Sequence, residues 1–319
     1  MIQISVVTPV FNEEKNIHPF LKRIIPELEK IGSYELIFSI DPCDDKTEQI
    51  IAQLGKKNKS IKSLTFSRRI GQPAAVIAGI LNCAGETCVV IDVDLQDPPE
   101  LIFEMYTKMK TGYDVIYAKR KTRKGETLIK KIVTHLGYFI INKASEVDIP
   151  RNTGDFRIMS RRVVEELRRM PESHGFLRGL VALVGFNQGF VYFDRDERAF
   201  GTGNYNRYLG SLKIGFNGIV GFSSFLLSLT LLFGVILALI AFLGAFFVFV
   251  SKIFFATNYP VGTPTIIISV LLMGGIQMIG IGILGEYISR IYDEVKKRPR
   301  FIIDRSMNMN DICDKGDRF

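Results

Sequence analysis

The chain has no tryptophan, only three histidines and only four cysteines in 319 residues. His18, His135 and His174 stand apart from one another, so each reads as structural and no histidine-based metal cage or His-activated nucleophile emerges. Cys43, Cys83, Cys88 and Cys313 form neither a CxxC pair nor a zinc-type spacing, and scattered cysteines with apolar neighbours suit a reducing cytosol. The opening MIQISVVTPV has no basic stretch and no long apolar run, which excludes a signal peptide as its reading. Internal repeats and low-complexity tracts are also missing.

Charge is missing from one region in particular. Residues 214–251 contain no charged side chain; after Lys252, residues 253–285 again contain none. Hydrophobic residues make up 47% of the chain, and the excess falls after about residue 214. A bilayer core takes about 20 apolar residues per helix, so the sequence predicts membrane spans near 225–250 and 265–285. Lysine and arginine flank the pair (Arg195, Arg198, Arg207 and Lys213 before, Arg290, Lys296, Lys297, Arg298 and Arg300 after), which predicts cytoplasmic termini and a multi-pass chain in the plasma membrane. Residues 204–217 mix aromatic and aliphatic residues with Arg207 and Lys213, as an interfacial helix would. The formal net charge of +8 sits near these segments and in the run KRKTRKGETLIKK, favouring a lipid bilayer and phosphorylated substrates over nucleic acid.

The first part of the chain alternates strand-like and helix-like text. Residues 2–8, 34–40, 63–66, 87–93 and 115–118 read as strands; 47–54, 73–84 and 99–110 read as helices. Asn12 is expected to cap a further helix whose first turn holds Glu13 and Glu14 and whose apolar residues Ile17, Phe20, Leu21, Ile24, Ile25 and Leu28 recur at helical spacing. This rhythm predicts a mostly parallel α/β sheet with helices on both faces. Ligands in such sheets bind at the carboxyl ends of the strands.

The stretch VVIDVDLQDPPE places Asp92 and Asp94 at one of those ends. In an extended strand, residues two apart share a face, unless the chain turns between them. Paired carboxylates repel unless a cation or donors compensate them. Hard divalent cations take oxygen ligands, and magnesium typically accepts one or two carboxylates plus substrate phosphates; Gln96 adds a neutral oxygen. The plainer alternative is an acidic loop with helix-capping aspartates. Asp41, Asp44 and Asp45 after the second strand, and Pro9, Phe11 and Glu13 after the first, put polar and turn-forming residues at the same edge.

Five segments, VVTPVFNEEKNI, DPCDDKT, DVDLQDPPE, TGDFRIMSRR and GEYISRIYDEVKKRP, resemble family 2 glycosyltransferases of the polyprenyl-phosphate branch over nearly the whole chain. The resemblance implies a GT-A, Rossmann-like catalytic domain over 1–203, an interfacial segment over 204–222, two transmembrane helices over 223–288 and a cytoplasmic tail over 289–319. It implies a nucleotide-sugar donor bound by Pro9, Phe11, Glu13, Asp41 and Asp92, with Mg2+ or Mn2+ on Asp94 and Gln96. Asp155, in TGDFR, matches the position given the catalytic-base or acceptor-positioning role. Two departures stand out: DPCDD replaces the family's frequent DDGSxD, and Asn204 stands where a lysine is frequent.

The chemistry that follows is inverting transfer of a sugar to polyprenyl (undecaprenyl) phosphate. Glucose from UDP-glucose is the first choice; GDP-mannose and UDP-N-acetylhexosamine are the alternatives. An anionic acceptor calls for arginine forks, and Arg120, Arg123 and Arg198 are the candidates, while Arg157 is a candidate to pair with a carboxylate. The acceptor phosphate has its second pKa at about 6, so it needs little help from a base, and Asp155 is expected to orient more than to deprotonate. A processive polysaccharide synthase would need a QxxRW-type tryptophan, which the chain lacks. A non-enzymatic membrane scaffold would tolerate Asp94→Ala. Glycines in MGGIQMIGIGILG permit close helix packing, and a homo-oligomer, with a tetramer among the options, is expected.

Overall fold

The computed structural model describes residues 1–121, 150, 153–170, 177–194, 262–296 and 298–309, with scattered residues between 227 and 254. The elements are β1 (Ile4–Val10), α1 (Ile17–Ile31), β2 (Tyr34–Ile40), α2 (Thr47–Lys57), β3 (Ile61–Phe66), α3 (Gln72–Asn82), β4 (Thr87–Val90), α4 (Leu101–Met109) and β5 (Val115–Arg120). They continue with β6 (Thr153–Ser160), α5 (Arg161–Arg169), α6 (Leu177–Val184), β7 (Gln188–Phe193), α7 (Thr263–Val295) and β8 (Ile303–Met307).

One eight-stranded sheet runs in the order β7-β5-β6-β4-β1-β2-β3-β8. The centre is parallel, as the alternation predicts: β1 pairs β2 and β4, and β2 pairs β3. Three antiparallel pairs, β4–β6, β5–β6 and β3–β8, make the sheet mixed. Period-2 alternation divides each strand between two cores. Ile4, Val6 and Val10 of β1 join Leu36 and Phe38 of β2 on the face covered by α1 and α4. Val7 and Ile37 turn to the other face, with α3, α5 and α6.

Register fixes the working edge. Val10 lies opposite Ile40 and Ile40 opposite Thr65, so β1, β2 and β3 end together. β4 stops at Val90, earlier than the strand expected to residue 93, and the chain turns through 93–97 with Leu95 at φ +60°. Asp94 is therefore a turn residue and Asp92 lies between the strand end and the turn, so the two are not neighbours on one strand face.

The helix after β1 also starts later than expected. Asn12 is not its cap: it takes φ +55° and accepts from Asp44 N–H at 2.9 Å, and α1 begins at Ile17. The physical reason is that the backbone amides of Glu13 and Glu14 are taken by Thr47 Oγ1 (2.9 Å) and Asp45 Oδ2 (3.1 Å), tying the segment to the loop before α2.

The expected plasma-membrane location is overturned, because among the described residues no helix is long and apolar enough to cross a membrane. The second expected span, 265–285, is the first part of α7, a 33-residue helix that runs on through Glu286, Arg290, Asp293 and Glu294. There Arg290 Nη2 donates to Glu286 Oε1 at 3.1 Å. Side chains such as Ile266, Val270, Met278 and Ile288 of α7 are exposed. Most of 225–250, and all of the interfacial candidate 204–217, lie outside the described residues, so the expected hairpin is not part of the described fold.

Candidate active site

The edge where β1, β2 and β3 end holds the first cluster. Phe11 follows β1, and the Arg69 guanidinium lies over its ring, 3.9 Å from the centroid. Asp41, 3% exposed, follows β2. Its Oδ1 accepts from Ile70 N–H at 3.0 Å and its Oδ2 from Gly71 N–H at 2.9 Å. Gly71 has φ +85°, a conformation that favours glycine. The carboxylate thus shapes the loop that carries Arg69 to Phe11. Gln72, next in the chain, donates from Nε2 to Asp92 Oδ1 at 2.9 Å.

Two residues predicted for this pocket take other positions. Pro9 is a buried residue of β1, opposite Ser39. Glu13 Oε2 accepts from Asn16 Nδ2, so its carboxylate turns toward the start of α1.

The second cluster lies around β5 and β6. Asp155 Oδ1 accepts from Arg178 Nε at 3.0 Å and from Arg157 Nη2 at 3.3 Å. Asp155 and Arg157 share a face of β6 because they are two apart. Arg157 is fully buried, and its Nε and Nη2 also donate to the carbonyls of Asp155 and Gly154, both at 3.1 Å. Its guanidinium sits 5.4 Å from the Tyr117 ring centroid. Burial pushes the Asp155 carboxyl up, but Arg178, Arg157 and Arg120 together hold it below the usual aspartate value. Arg120 faces Asp97, with 3.6 Å between Nη2 and Oδ1. Gly154 lies against this pair: a Cβ there would meet Arg120 Nη2 at 3.2 Å and Asp97 Oδ2 at 3.8 Å.

The acidic turn links the clusters. Asp92 touches Gln72 on one side, Asp97 faces Arg120 on the other, and Asp94 lies between them in sequence. Asp94 Oδ1 accepts from Gln96 N–H at 3.1 Å, an Asx-type turn. No described donor reaches Asp94 Oδ2. Among the described residues, no group of three or more His, Cys, Asp or Glu forms a preformed metal cage. The candidate donors, Asp94 and Gln96, offer hard oxygens and are few, which fits a cation completed by phosphate oxygens of a substrate.

Of the predicted site residues, the structure ties Phe11 and Asp41 to one loop, 69–71, and sets Asp94 and Gln96 in the acidic turn with Asp92 just before it; it gathers Arg120 and Asp155 with Arg157. Arg123 and Arg198 lie outside the described residues. Four residues went unread as site residues: Arg69, Gln72, Asp97 and Arg178. The double arginine in SRRIG after β3 was a legible signal for the first, and Asp97 belongs to the quoted acidic run. Arg178 offered none, since only the fold carries α6 back to β6.

Fold and site together are those of an α/β enzyme that works at the carboxyl edge of its sheet. Residues 5–168 match the family model described as glycosyl transferase family 2. The chain is 41% identical over 306 residues to an uncharacterized glycosyltransferase, YkcC, of Bacillus subtilis (strain 168), covering 96% of this chain and 94% of that protein. It is 40% identical over 307 residues to a prophage bactoprenol glucosyl transferase homolog of Escherichia coli (strain K12), covering 95% and 99%. Among solved structures, glucosyl-3-phosphoglycerate synthase from Mycobacterium tuberculosis, in complex with Mn2+, UDP and phosphoglyceric acid, is similar at 18% identity and TM-score 0.49, covering 69% of this chain and 76% of that one. The chain belongs to glycosyl transferase family 2 and is a glycosyltransferase.

Proposed function

We propose that the enzyme transfers glucose from UDP-glucose to polyprenyl phosphate with inversion at the anomeric carbon. The observation that carries this reading is the acidic turn, with a stacked Phe11–Arg69 platform on one side and an arginine-rich cluster around Asp155 on the other. A donor diphosphate and an anionic acceptor need two such adjoining environments. The relatives named bactoprenol glucosyl transferase, about 40% identical over nearly their full length, support the acceptor class and the sugar.

In this reading Phe11 and the Arg69 loop receive the nucleotide, and Asp92 meets its ribose or base. Asp94 and Gln96 would hold Mg2+ or Mn2+, which when bound offsets the negative charge that grows on the departing diphosphate. Arg120 draws the acceptor phosphate toward the sugar. That phosphate is mostly dianionic at neutral pH, its second pKa being about 6, so it attacks without first losing a proton to a side chain. Attack from the face opposite the diphosphate passes through an oxocarbenium-like state and inverts the centre. Asp155 stays anionic, an acceptor for hydrogen bonds or positive charge near the sugar.

A radiolabel-transfer assay tests the proposal. Purified protein, undecaprenyl phosphate and Mn2+ are incubated with UDP-glucose, GDP-mannose or UDP-N-acetylglucosamine, with EDTA as control. Labelled lipid is expected from UDP-glucose and lost with EDTA. No lipid product from any donor rejects the acceptor, and product from a different donor rejects the sugar.

A further inference from the structure

We infer that Arg178 is a positioning residue: with Arg157 it pins one oxygen of Asp155, so that the other is presented to the substrate as a fixed hydrogen-bond acceptor. This deepens the reading above and rests on it for the identity of the substrate.

The asymmetry of the carboxylate is the ground. Both of its described side-chain bonds fall on Oδ1, from Arg178 Nε at 3.0 Å and Arg157 Nη2 at 3.3 Å. Among the described residues no donor reaches Oδ2, and the Asp155 side chain is 29% exposed. A carboxylate held this way cannot rotate to exchange its oxygens without breaking two charge-assisted bonds.

The two arginines divide the work. Arg157 is fully buried and also braces the carbonyls of Gly154 and Asp155, so it holds the strand as well as the carboxylate. Arg178 comes from another element, the first turn of α6, whose Leu177, Leu180 and Val181 are buried beside α5 in the core. Its side chain is 26% exposed. It fixes the carboxylate relative to a helix that the core holds still.

Among the described residues, the charged groups facing Asp155 are Arg157 on β6, Arg178 on α6 and Arg120 on β5; Asp97 lies behind Arg120, and Tyr117 under Arg157. Three guanidinium groups against two carboxylates keep Asp155 ionised and make it a weak base. Its contribution to transfer is then geometric.

The test uses the full chain and four proteins: wild type, Arg178→Gln, Arg178→Lys and Asp155→Asn. The first readout needs no substrate. Carboxyl 13C NMR on aspartate-labelled protein follows the Asp155 resonance, assigned by its loss in Asp155→Asn. Arg178→Gln should move the titration midpoint up, with Arg178→Lys in between; an unmoved midpoint overturns the inference. The second readout is kinetic. Arg178→Gln should lower kcat by about 10- to 100-fold, the scale of a misplaced reacting group, with KM for UDP-glucose unchanged. In an Asp155→Asn background the same substitution should change kcat by less than about twofold, because the two residues act as a unit. Fully additive losses, or a loss confined to KM, overturn it. If the wild type transfers no sugar, the functional reading fails, and the NMR titration still decides whether Arg178 controls Asp155.

Discussion

Asp41 accepts hydrogen bonds from the backbone amides of Ile70 and Gly71, 29 and 30 residues further along the chain. A buried carboxylate at the end of β2 therefore sets the path of the loop after β3 and seats Arg69 on Phe11. Asp41→Ala should cost about 2–3 kcal/mol, the scale of hydrogen bonds to a charged group, and should weaken nucleotide binding together with stability. Urea melts and a UDP titration measure both. Unchanged nucleotide affinity in a destabilised protein would separate the clamp from the donor site.

A second buried carboxylate lies at the other end of β2. Glu35 is fully buried, Lys62 is 8% exposed, and Lys62 Nζ lies 2.5 Å from Glu35 Oε2. Ala84 N–H and Ser5 Oγ–H also donate to Glu35. Lys62→Met leaves that charge uncompensated and should cost about 3–5 kcal/mol. Converting Glu35 to leucine as well should recover only part of the loss, since the donors from Ala84 and Ser5 are then stranded. Full recovery in the double variant, read from denaturation midpoints, contradicts this.

Gly79 sits where α3 crosses the sheet. A Cβ there would lie 2.2 Å from Val7 Cγ1 and 2.8 Å from Ser39 Oγ. Gly79→Ala gains about 1 kcal/mol of helix propensity, yet overpacking of this kind costs about 1–3 kcal/mol. The expected outcome is a lower thermal midpoint.

Cys43, between Asp41 and Asp44, is half-buried, and burial pushes its thiol up to about 11. At pH 8 only about one thiol in a thousand is then ionised, and the thiolate is the nucleophile. Iodoacetamide should alkylate Cys43 in the folded protein far more slowly than in urea, and equal rates would refute the shift. The neutral thiol is the form the fold favours, so the stability linked to it is complete below the unfolded value, near 9, and is lost as pH rises through the folded value of about 11.

Asp155 works in the opposite sense. Its folded pKa lies below the ordinary value of 3.8, since its three arginines outweigh burial. The stabilisation is complete above that ordinary value and lost as pH falls through the folded one. Acid melts of wild type and Asp155→Asn should therefore differ at pH 6 and converge toward pH 2. A constant difference across that range would show that the Asp155 charge contributes nothing.

Legibility followed the range of the interaction. The strands β1, β2 and β3 and the helices between them were visible because burial alternates with a short period and because helices announce themselves through spaced apolar residues such as Ile17, Phe20, Leu21 and Ile24. The sequence does not announce β6, β7 and β8 as strands, although β6, at eight residues, is longer than β1 or β2. TGDFRIMS alternates weakly, with Asp155 and Arg157 facing each other's charge; β8 carries Asp304 and Arg305 at the edge of the sheet, where no apolar pattern is needed. The apolar text from 265 to 285 suggests a span by its composition; in the structure it is the first part of a helix that continues through Glu286, Arg290, Asp293 and Glu294.

By itself, the sequence determined an α/β chain with acidic groups at the carboxyl edge of its sheet, since hydrophobic periodicity carries that information within a few residues; the glycosyltransferase activity was legible only through the resemblance of its motifs to a family. Only the tertiary structure decided which carboxylate meets which donor: Asp41 the Ile70–Gly71 loop, Asp92 Gln72, Asp97 Arg120 and Asp155 Arg178. Those pairings depend on strand order and helix placement, and a hydrogen bond with a reach of about 3 Å has no signature in a chain whose partners stand tens of residues apart.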